Sequence, residues 1–570
     1  MIVIKTMFLP ATQKEMAALR WKALDVILVT GDAYIDSPFM GVAVIGKILA
    51  DKGYRVGIIA QPDLKTDKDI TRLGEPALFW GITGGCVDSM VANYTALKKK
   101  RRSDDYTPGG INNRRPDRAV IAYANLVRQY FKQTRPIVLG GIEASLRRIA
   151  HYDFWSDSIR RSILFDARAD YLLYGMAHGS IVKFASALKR KESPSMLKGI
   201  AFLSKDKAGI ELPSHEAVKK SKDDYIKAFR IFYENNDALT AQTLCQKHQD
   251  RYLVINPPEP CSTTEELDHI HSLGFERDLH PFHKPFGTVR ALDTIRFSIP
   301  THYGCYGECH FCAITVHQGR TVCSRSEASV LEEAKTISQL PDFKGYILDL
   351  GGPTANMYGF ECQKKLKQGA CRDRRCLFPS PCNSLLPDHS RHLGLIRKIE
   401  ALAGIKKVFI SSGIRYDLIF SDTKNGNAYL EKIVAGNVSG QMKIAPEHTL
   451  PHVLALMGKQ PVEHLKKFKT RFDALSKKAG KPQFLTYYLI AAHPGCSLKD
   501  MQDLKKFCLE HLKTIPEQVQ IFTPTPSTWS TLMYYTGIDP FSMTPLFVEK
   551  NPKEKEKQKQ AVTAKSFRKR

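Results

Sequence analysis

Three cysteines in one short stretch have the residue type and the spacing to bind a metal centre. Cys305, Cys309 and Cys312 follow the pattern C-x3-C-x2-C on a glycine-punctuated segment. Thiolate is a soft ligand that suits iron–sulfur clusters and zinc. A closed structural site takes four protein ligands, but three thiolates on one loop can hold three corners of a 4Fe–4S cube. The spacing favours a cluster with one iron open to another ligand; a structural zinc knuckle or three packed apolar cysteines is the alternative.

The residues around these thiols resemble a known superfamily. The pattern C-x3-C-x-aromatic-C, with Phe311 at the aromatic position, is the usual one of radical S-adenosylmethionine (SAM) proteins. The flanking sequence, from about Phe8 to about Pro540, resembles the YgiQ-type radical SAM proteins, a family without an assigned reaction. The resemblance implies that SAM chelates the open iron of a 4Fe–4S cluster. It also implies that a donor such as flavodoxin or ferredoxin reduces the cluster, and that SAM is cleaved to a 5′-deoxyadenosyl radical acting on an unidentified substrate.

The resemblance indicates which strand ends contact SAM. Gly351 and Gly352 follow the second strand of a predicted barrel, where the superfamily has a Gly-Gly-Glu segment that holds the SAM amino group. Pro353 replaces the acid, so the contact to the amino group must come from backbone. Glycine lets the backbone approach a ligand closely. We therefore expect the two glycines to touch SAM.

Two further strand ends carry polar side chains that could reach the same ligand. Ser412 and Arg415 follow the third strand, and a guanidinium can pair with the SAM carboxylate through two hydrogen bonds. An ion pair between Arg415 and Asp417 is the alternative. Glu447 ends the fourth strand and could bind a ribose hydroxyl, although a simple turn would have the same sequence. Ser412, Arg415 and Glu447 complete the predicted SAM site.

Four more cysteines lie in a polar insertion, residues 360–388, after the Gly-Gly segment. They are Cys362, Cys371, Cys376 and Cys382. Lysines and arginines flank them, and nearby cations favour the thiolate that a metal requires. A segment with so small an apolar core also needs a cross-link to be stable, and in a reducing compartment that cross-link is usually a bound metal. We expect a second metal centre, either an auxiliary iron–sulfur cluster or zinc. The spacing is not a standard zinc pattern, which favours iron–sulfur.

The elements that must position these residues form a barrel in the second half of the chain, residues 291–549. Six strand-like runs are present there, with helical patterns between the later ones. They are residues 295–299, 345–350, 407–412, 440–445, 484–491 and 518–523. Six β/α units are too few for a complete eight-stranded barrel, and they match the open six-unit (β/α)6 barrel of the radical SAM fold. The cluster loop follows the first strand, as it does in that fold.

The first part of the chain, residues 1–184, predicts a doubly wound α/β domain, because strands and helices alternate along it. It resembles the cobalamin-binding-type domain that precedes the barrel in some radical SAM enzymes. Neither a D-x-H-x-x-G nor a G-x-G-x-x-G motif is present. We therefore expect a role in packing or substrate placement; cobalamin bound without a histidine ligand is the less favoured alternative. Residues 185–290 have less regular patterning and predict a linking region.

The formal charge of +26, from 84 Lys and Arg against 58 Asp and Glu, favours an anionic partner, nucleic acid above all. A basic loop, residues 98–118, and a basic tail, residues 550–570, concentrate this charge, and we expect the tail to be disordered. An RNA-modifying, methylthiotransferase-like enzyme and a non-catalytic iron–sulfur or RNA-binding protein are therefore alternatives to an enzyme of unassigned reaction. The sequence predicts no membrane span and no signal peptide, so we expect no membrane partner and a cytoplasmic location.

Overall fold

The computed structural model describes residues 8–563, which form two compact units. The first unit contains the described residues up to Arg296, together with Val316–Gly319. The second contains Phe297–Thr315 and the described residues from Arg320 onward. The barrel therefore begins within a few residues of the predicted boundary.

A nine-stranded sheet forms the centre of the first unit. Its strand order is Ile210–Leu212, Leu244–His248, Arg251–Ile255, Ile200–Ser204, Tyr171–Leu173, Ile137–Gly140, Phe79–Thr83, Val26–Thr30 and Val56–Ala60. The last five strands of that order are parallel. Counted from the far edge they follow the chain order 2-1-3-4-5, which confirms the doubly wound arrangement. Every residue of Val26–Thr30 and Val56–Ala60 is buried, as expected of strands covered on both faces.

The segment predicted as a linking region, residues 185–290, is instead part of this unit. Four strands of the sheet lie within it, and Leu244–His248 pairs with Arg251–Ile255 as an antiparallel hairpin. Gln246 and His248 of this hairpin are fully buried. Leu244–His248 places polar residues in the interior, so it lacks the apolar run that marks a strand such as Val56–Ala60 in the sequence.

The helices of the first unit agree with the predicted alternation. They are Gln13–Ala18, Gly41–Asp51, Ser89–Asn93, Ala119–Tyr130, Gly141–Leu146, Ile163–Asp166, Ser180–Lys189, His215–Lys220, Lys222–Glu234, Thr264–Ser272 and Ala291–Ile295. Gly41–Asp51 is followed by Gly53 with φ 80°, a left-handed conformation that favours glycine just after a helix. A short helix, Ile314–His317, lies where the chain passes from the second unit to the first.

The barrel strands of the second unit overlap all six predicted runs, although Ile295 of the first run is the last residue of a helix. They are Ser298–Pro300, Tyr346–Ile347 with Asp349–Gly351, Lys407–Val408, Gln441–Glu447, Phe484–Ala491 and Val519–Ile521. All their pairings are parallel: the first with the second, the second with the third, and the fourth through the fifth to the sixth. A parallel bridge between Ile414 and Ile444 connects the two halves. These strands build the open six-unit barrel.

Helices alternate with the barrel strands and enclose one apolar core. They are Glu327–Ser338, Gln363–Gln368, Ser390–Glu400, Tyr416–Ser421, Gly426–Gly436, Pro451–Met457, Glu463–Lys478, Leu498–Phe507, Trp529–Thr536 and Pro552–Thr563. Leu465, Phe468 and Phe472, which share one face of helix Glu463–Lys478, are buried in that core. None of the helices described between residues 8 and 563 is long and apolar enough to span a membrane.

The basic tail is a packed helix in its described part, so the prediction of disorder was wrong there. Val562 of helix Pro552–Thr563 is fully buried in the barrel core. The side-chain carbonyl of Gln558 accepts from the Ala492 N–H at 2.8 Å, and its amide donates to the Cys496 carbonyl at 3.1 Å. One valine and a few buried polar groups fix this helix, which is why the sequence has no clear apolar stripe. The last seven residues of the tail lie outside the described range.

His248 is a buried histidine whose titration should be visible in the stability of the first unit. It packs between the rings of Phe165 and His215, with centroid separations of 4.5 and 5.3 Å. Neither of its ring nitrogens has a hydrogen-bond partner among the described residues. Burial, with a smaller effect of His215, lowers the pKa of His248 to about 3. The unfolded chain therefore binds the proton more tightly, and the free energy of unfolding falls as the pH drops below about 6.5.

We expect His248→Phe to remove up to about 1.4 kcal/mol per pH unit from that dependence, because phenylalanine fills the same stack without a titrating group. Urea denaturation at about pH 7 and about pH 5 measures the slope. His511→Phe, at an exposed histidine, is the control and should leave the slope unchanged. An unchanged slope in His248→Phe would contradict the expectation.

Candidate active site

The three predicted cluster ligands lie on one loop that follows the first barrel strand. At its start, His302–Tyr303 pairs in antiparallel fashion with Cys323–Ser324 and closes the loop. Gly304 has φ 81°, and a Cβ built there would lie 2.0 Å from the carbonyl oxygen of Thr321. Only glycine fits both the conformation and the space. Local backbone packing therefore fixes the course of the loop before the first thiol.

The sulfur atoms of Cys305 and Cys309 both lie beside Gly307. A Cβ built on Gly307 would lie 3.3 Å from the first sulfur and 3.6 Å from the second. The Gly307 N–H donates to the Cys305 sulfur at 3.3 Å. The Cys312 N–H donates to the Cys309 carbonyl at 3.0 Å, which closes a tight turn over the second and third cysteines.

Cys305 and Cys312 are partly buried, and the loss of solvent around their sulfurs disfavours the charged form of both thiols. Burial, followed by the neighbouring sulfurs of Cys309 and Cys305, raises the pKa of Cys312 to about 12. Burial, followed by the sulfur of Cys309, also raises the pKa of Cys305. Thiolates here need a positive group beside them, which a metal cluster would supply.

Arg415 reaches the same sulfurs from the end of the third strand. Its Nη1 lies 3.7 Å from the Cys309 sulfur, and its Nε donates to both carboxylate oxygens of Asp417, at 2.9 and 3.1 Å. Nη2 also pairs with Asp417, which is 2% exposed. Burial would raise the pKa of Asp417, but Arg415 lowers it below its ordinary value. The alternative ion pair is therefore present and buried, and the third guanidinium nitrogen faces the predicted cluster ligands.

Gly351 and Gly352 end the second strand, but protein atoms already occupy the space that side chains would take. A Cβ on Gly352 would lie 2.7 Å from the His302 ring and 2.8 Å from the His302 carbonyl oxygen. A Cβ on Gly351 would lie 3.1 Å from the Ser412 hydroxyl, which itself bonds to Asp349. Packing inside the barrel is thus sufficient reason for both glycines and for Ser412. Their contact with SAM stays a prediction.

Glu447 ends the fourth strand with φ 67°, a left-handed conformation that is uncommon for a residue other than glycine. Burial raises the pKa of Glu447 to about 7, although Lys459 and Arg415 oppose the rise. The Lys459 Nζ lies 3.9 Å from the carboxylate. Near neutral pH this carboxyl can therefore donate or accept a hydrogen bond. Its contact with a ribose hydroxyl stays a prediction.

Sequence reasoning missed a buried ion network beneath the loop. Glu308 is 3% exposed and lies 3.0 Å from Lys365 and 3.4 Å from Arg320. Lys365 belongs to helix Gln363–Gln368 of the Cys-rich insertion, so the insertion is fastened to the cluster loop. Burial would lower the pKa of Lys365, but Glu308 raises it. The one signal in the sequence is the position of this acid between two of the cysteines. A glutamate is rarely buried unless it is paired, so a buried acid there implies a cationic partner.

The insertion cysteines pack mainly into a small apolar cluster. Cys362 and Cys376 are buried in it and Cys382 packs against it, whereas Cys371 lies outside. Burial raises the pKa of Cys376 to about 11. Across residues 8–563, no three His, Cys, Asp or Glu side chains converge as they would around a single metal ion. The structure therefore gives no support to a zinc site in the insertion, and an iron–sulfur centre there stays a prediction.

A second candidate site is the crevice at the carboxyl ends of the parallel strands in the first unit, where doubly wound domains bind ligands. The basic loop folds into it. Arg115 has no exposed side-chain surface; it lies 2.7 Å from Asp32 and 3.1 Å from Asp104, and it donates to the Gly84 carbonyl at 2.7 Å. A Cβ on Gly31 would lie 2.2 Å from that same carbonyl oxygen. The sequence predicted that this loop concentrates positive charge for an anionic partner, but this arginine is used inside the protein.

The adjoining strand end is filled in the same way. Glu143 is 2% exposed and accepts from the Ser89 N–H at 2.9 Å and the Val120 N–H at 3.3 Å. A Cβ on Gly84 would lie 2.3 Å from its carboxylate. The strand ends are thus covered by the domain's own buried charges. The crevice at these strand ends has no room for a cofactor as large as cobalamin unless those charged side chains are displaced.

Comparison with known proteins gives the family. A family model described as Radical SAM N-terminal matches residues 8–298. A UPF0313 protein of Fusobacterium nucleatum subsp. nucleatum is 55% identical over 561 residues, which cover 98% of this chain and 99% of the relative. A UPF0313 protein of Thermotoga maritima is 47% identical over 561 residues, 98% of each chain. The family model spans the α/β domain and the segment predicted as a linking region together, in agreement with the compact first unit.

Solved structures share the fold. The radical SAM methyltransferase TsrM from Kitasatospora setae, with cobalamin and a [4Fe-4S] cluster bound, matches with a TM-score of 0.50 and 12% identity, over 90% of this chain and 74% of that chain. The cobalamin-dependent SAM radical enzyme OxsB matches with a TM-score of 0.48 and 11% identity, over 86% and 53%. At such low identity the likeness concerns the fold alone.

The open six-unit barrel, the doubly wound domain before it and the thiol loop after its first strand define a radical SAM enzyme with an unassigned reaction. The chain belongs to the UPF0313 family, which is the YgiQ family that its sequence resembles. The enzyme interpretation is thereby confirmed over the non-catalytic one. Which residues hold the cluster and SAM stays a prediction.

Proposed function

We propose that Cys305, Cys309 and Cys312 bind a 4Fe–4S cluster and that the enzyme reductively cleaves SAM bound to it. The observation that carries the proposal is that two of these sulfurs lie beside the same residue, Gly307, with the Arg415 guanidinium facing one of them. Bound there, a reduced cluster would supply the electron that cleaves SAM and so generates the radical that acts on the substrate. The substrate is left unassigned.

The chain's own residues would prepare this site in three ways. The Gly307 N–H and the Arg415 guanidinium place positive charge beside the sulfurs, which favours thiolates. The buried pairing of Glu308 with Lys365 holds the loop against the insertion, so the thiols keep their spacing. Glu447, with a pKa of about 7, would hydrogen-bond a hydroxyl of the bound nucleoside in either protonation state.

Anaerobic reconstitution followed by dithionite reduction tests the proposal. We expect SAM-dependent formation of 5′-deoxyadenosine. A protein that carries its full complement of iron and forms none would contradict it. Parallel reactions with total RNA test the RNA-modifying alternative, which predicts that RNA alters the yield of 5′-deoxyadenosine.

No contact among residues 8–563 favours RNA over another substrate class. Arg115 of the basic loop is buried, and the described part of the tail packs against the barrel. An electron donor such as flavodoxin or ferredoxin belongs to the proposal, because the cluster must be reduced before SAM is cleaved. A cytoplasmic location belongs to it as well, since thiols remain reduced there.

We also propose that the enzyme works without cobalamin, because binding would have to displace Arg115 from two buried carboxylates. Breaking a buried ion pair costs about 3–5 kcal/mol. After incubation with hydroxocobalamin and desalting, we expect the protein to show no corrin absorbance. Cobalamin retained in a one-to-one ratio with the chain would contradict this expectation.

A further inference from the structure

The backbone of Arg415 is held by a buried side chain that the proposed function has not used. Asn356 is 1% exposed and follows the Gly-Gly end of the second strand. Its Oδ1 accepts from the Arg415 N–H at 2.9 Å, and its Nδ2 donates to the Arg415 carbonyl at 2.9 Å. One amide therefore satisfies both backbone groups of one residue. Asn356 fixes the point from which the Arg415 side chain leaves the loop.

A histidine and a carboxylate continue this network. The second hydrogen of the Asn356 Nδ2 points to the Nε2 of His389, at 3.1 Å. With its Nε2 accepting, His389 carries its proton on Nδ1 and donates it to Asp422 at 2.8 Å. Asp422 also accepts from the His389 backbone N–H at 2.8 Å and from the Asn425 N–H at 2.8 Å. Each donor meets an acceptor, so the amide orientation and the histidine tautomer are both determined.

The outer members of the network are also buried. His389 is 1% exposed and Asp422 is 6% exposed. Burial would raise the pKa of Asp422, but its hydrogen bonds, that of His389 foremost, lower it to about 2. Asp422 is thus a fixed negative charge that orients His389. The order Asp422, His389, Asn356 therefore leads from a fixed charge to the backbone of Arg415.

We propose that Asn356, His389 and Asp422 are positioning residues that aim the Arg415 guanidinium at the Cys309 sulfur. The inference rests on the proposed function, since it gives that guanidinium the task of stabilising a cluster ligand. Without the amide, the loop at Arg415 could shift while its ion pair with Asp417 remained. A shift of about 1 Å at a reacting site can cost roughly a hundredfold in rate.

Asn356→Ala tests the proposal, with Asn437→Ala as the matched control. Asn437 is also a fully buried asparagine of the second unit, and its amide bonds to the Val408 carbonyl and to Glu400. We expect both variants to lose comparable thermal stability and to keep full iron content. Only Asn356→Ala should lower the rate of 5′-deoxyadenosine formation, by about ten- to a hundredfold. Only Asn356→Ala should change the electron paramagnetic resonance spectrum of the reduced cluster with SAM.

His389→Gln provides a second, milder variant, because its side chain cannot both accept from Asn356 and donate to Asp422 at the same distances. It should change the spectrum in the same direction with a smaller loss of rate, and it decides the question if Asn356→Ala does not fold. Wild-type spectrum and rate in the folded variant would overturn the inference. Equal effects in Asn437→Ala would overturn it too. Failure of the wild-type enzyme to cleave SAM would instead overturn the proposed function.

Discussion

Replacing Cys305, Cys309 and Cys312 together with Ala should abolish SAM cleavage. The three thiols are the only cysteines between Gly304 and Ile314. Burial raises the pKa of Cys305 and of Cys312, so their thiolates are unfavourable unless a positive cluster is bound. Alanine keeps the backbone of the loop and the Glu308 network beneath it. The triple variant should therefore remain folded, as measured by circular dichroism. After dithionite reduction it should form no 5′-deoxyadenosine.

A double variant, Cys245→Ala with Cys508→Ala, is the control for loss of thiols as such. Both are buried cysteines outside the loop, so this protein should lose some stability yet keep its SAM cleavage. Iron analysis of the triple variant also tests the second centre: iron that remains after anaerobic reconstitution would support a cluster in the insertion. A triple variant that still forms 5′-deoxyadenosine would refute the ligand assignment.

The sequence was sufficient to find the thiol loop because ligand spacing is a local property. It could not show that Arg415 is shared between Asp417 and Cys309, since Arg415 lies more than a hundred residues from that cysteine in the chain. Glu308 illustrates the same limit. An acid between two cysteines is visible in the sequence, but its partner Lys365 comes from an insertion whose path no local pattern predicts.

Fold prediction succeeded where strands are buried on both faces and failed where polar residues are buried. Val26–Val29 is an uninterrupted apolar run, so the place of this strand in a parallel sheet could be predicted directly. Leu244–His248 buries a glutamine and a histidine and therefore had the appearance of a linking segment. The prediction of a disordered tail was wrong for a related reason. Its helix has many charged positions and only one valine that is buried in the core.

Deletion of residues 552–570 should destabilise the barrel rather than merely weaken contact with an anionic partner. Val562 is fully buried in the core, and burial of a valine contributes about 1.5–3 kcal/mol. The two Gln558 hydrogen bonds add roughly 0.5–1.5 kcal/mol each. A total of about 2.5–6 kcal/mol corresponds to a fall of roughly 5–24 °C in Tm for a unit of this size, measured by thermal denaturation.

The deletion should also impair the active site, because Gln558 bonds to Ala492 and Cys496 on either side of the turn that ends the fifth barrel strand. A shorter deletion, residues 564–570, is the matched control: it removes four cations and leaves helix Pro552–Thr563 in place. We expect that control to keep the wild-type Tm and rate of SAM cleavage. Any loss of RNA affinity in this control would then result from the lost charge alone. The slope of log K against log salt concentration should become shallower by about 0.7–0.9 for each lost phosphate contact. If the longer deletion unfolds at the wild-type temperature, the helix contributes nothing to the barrel, and the tail acts only through its charge.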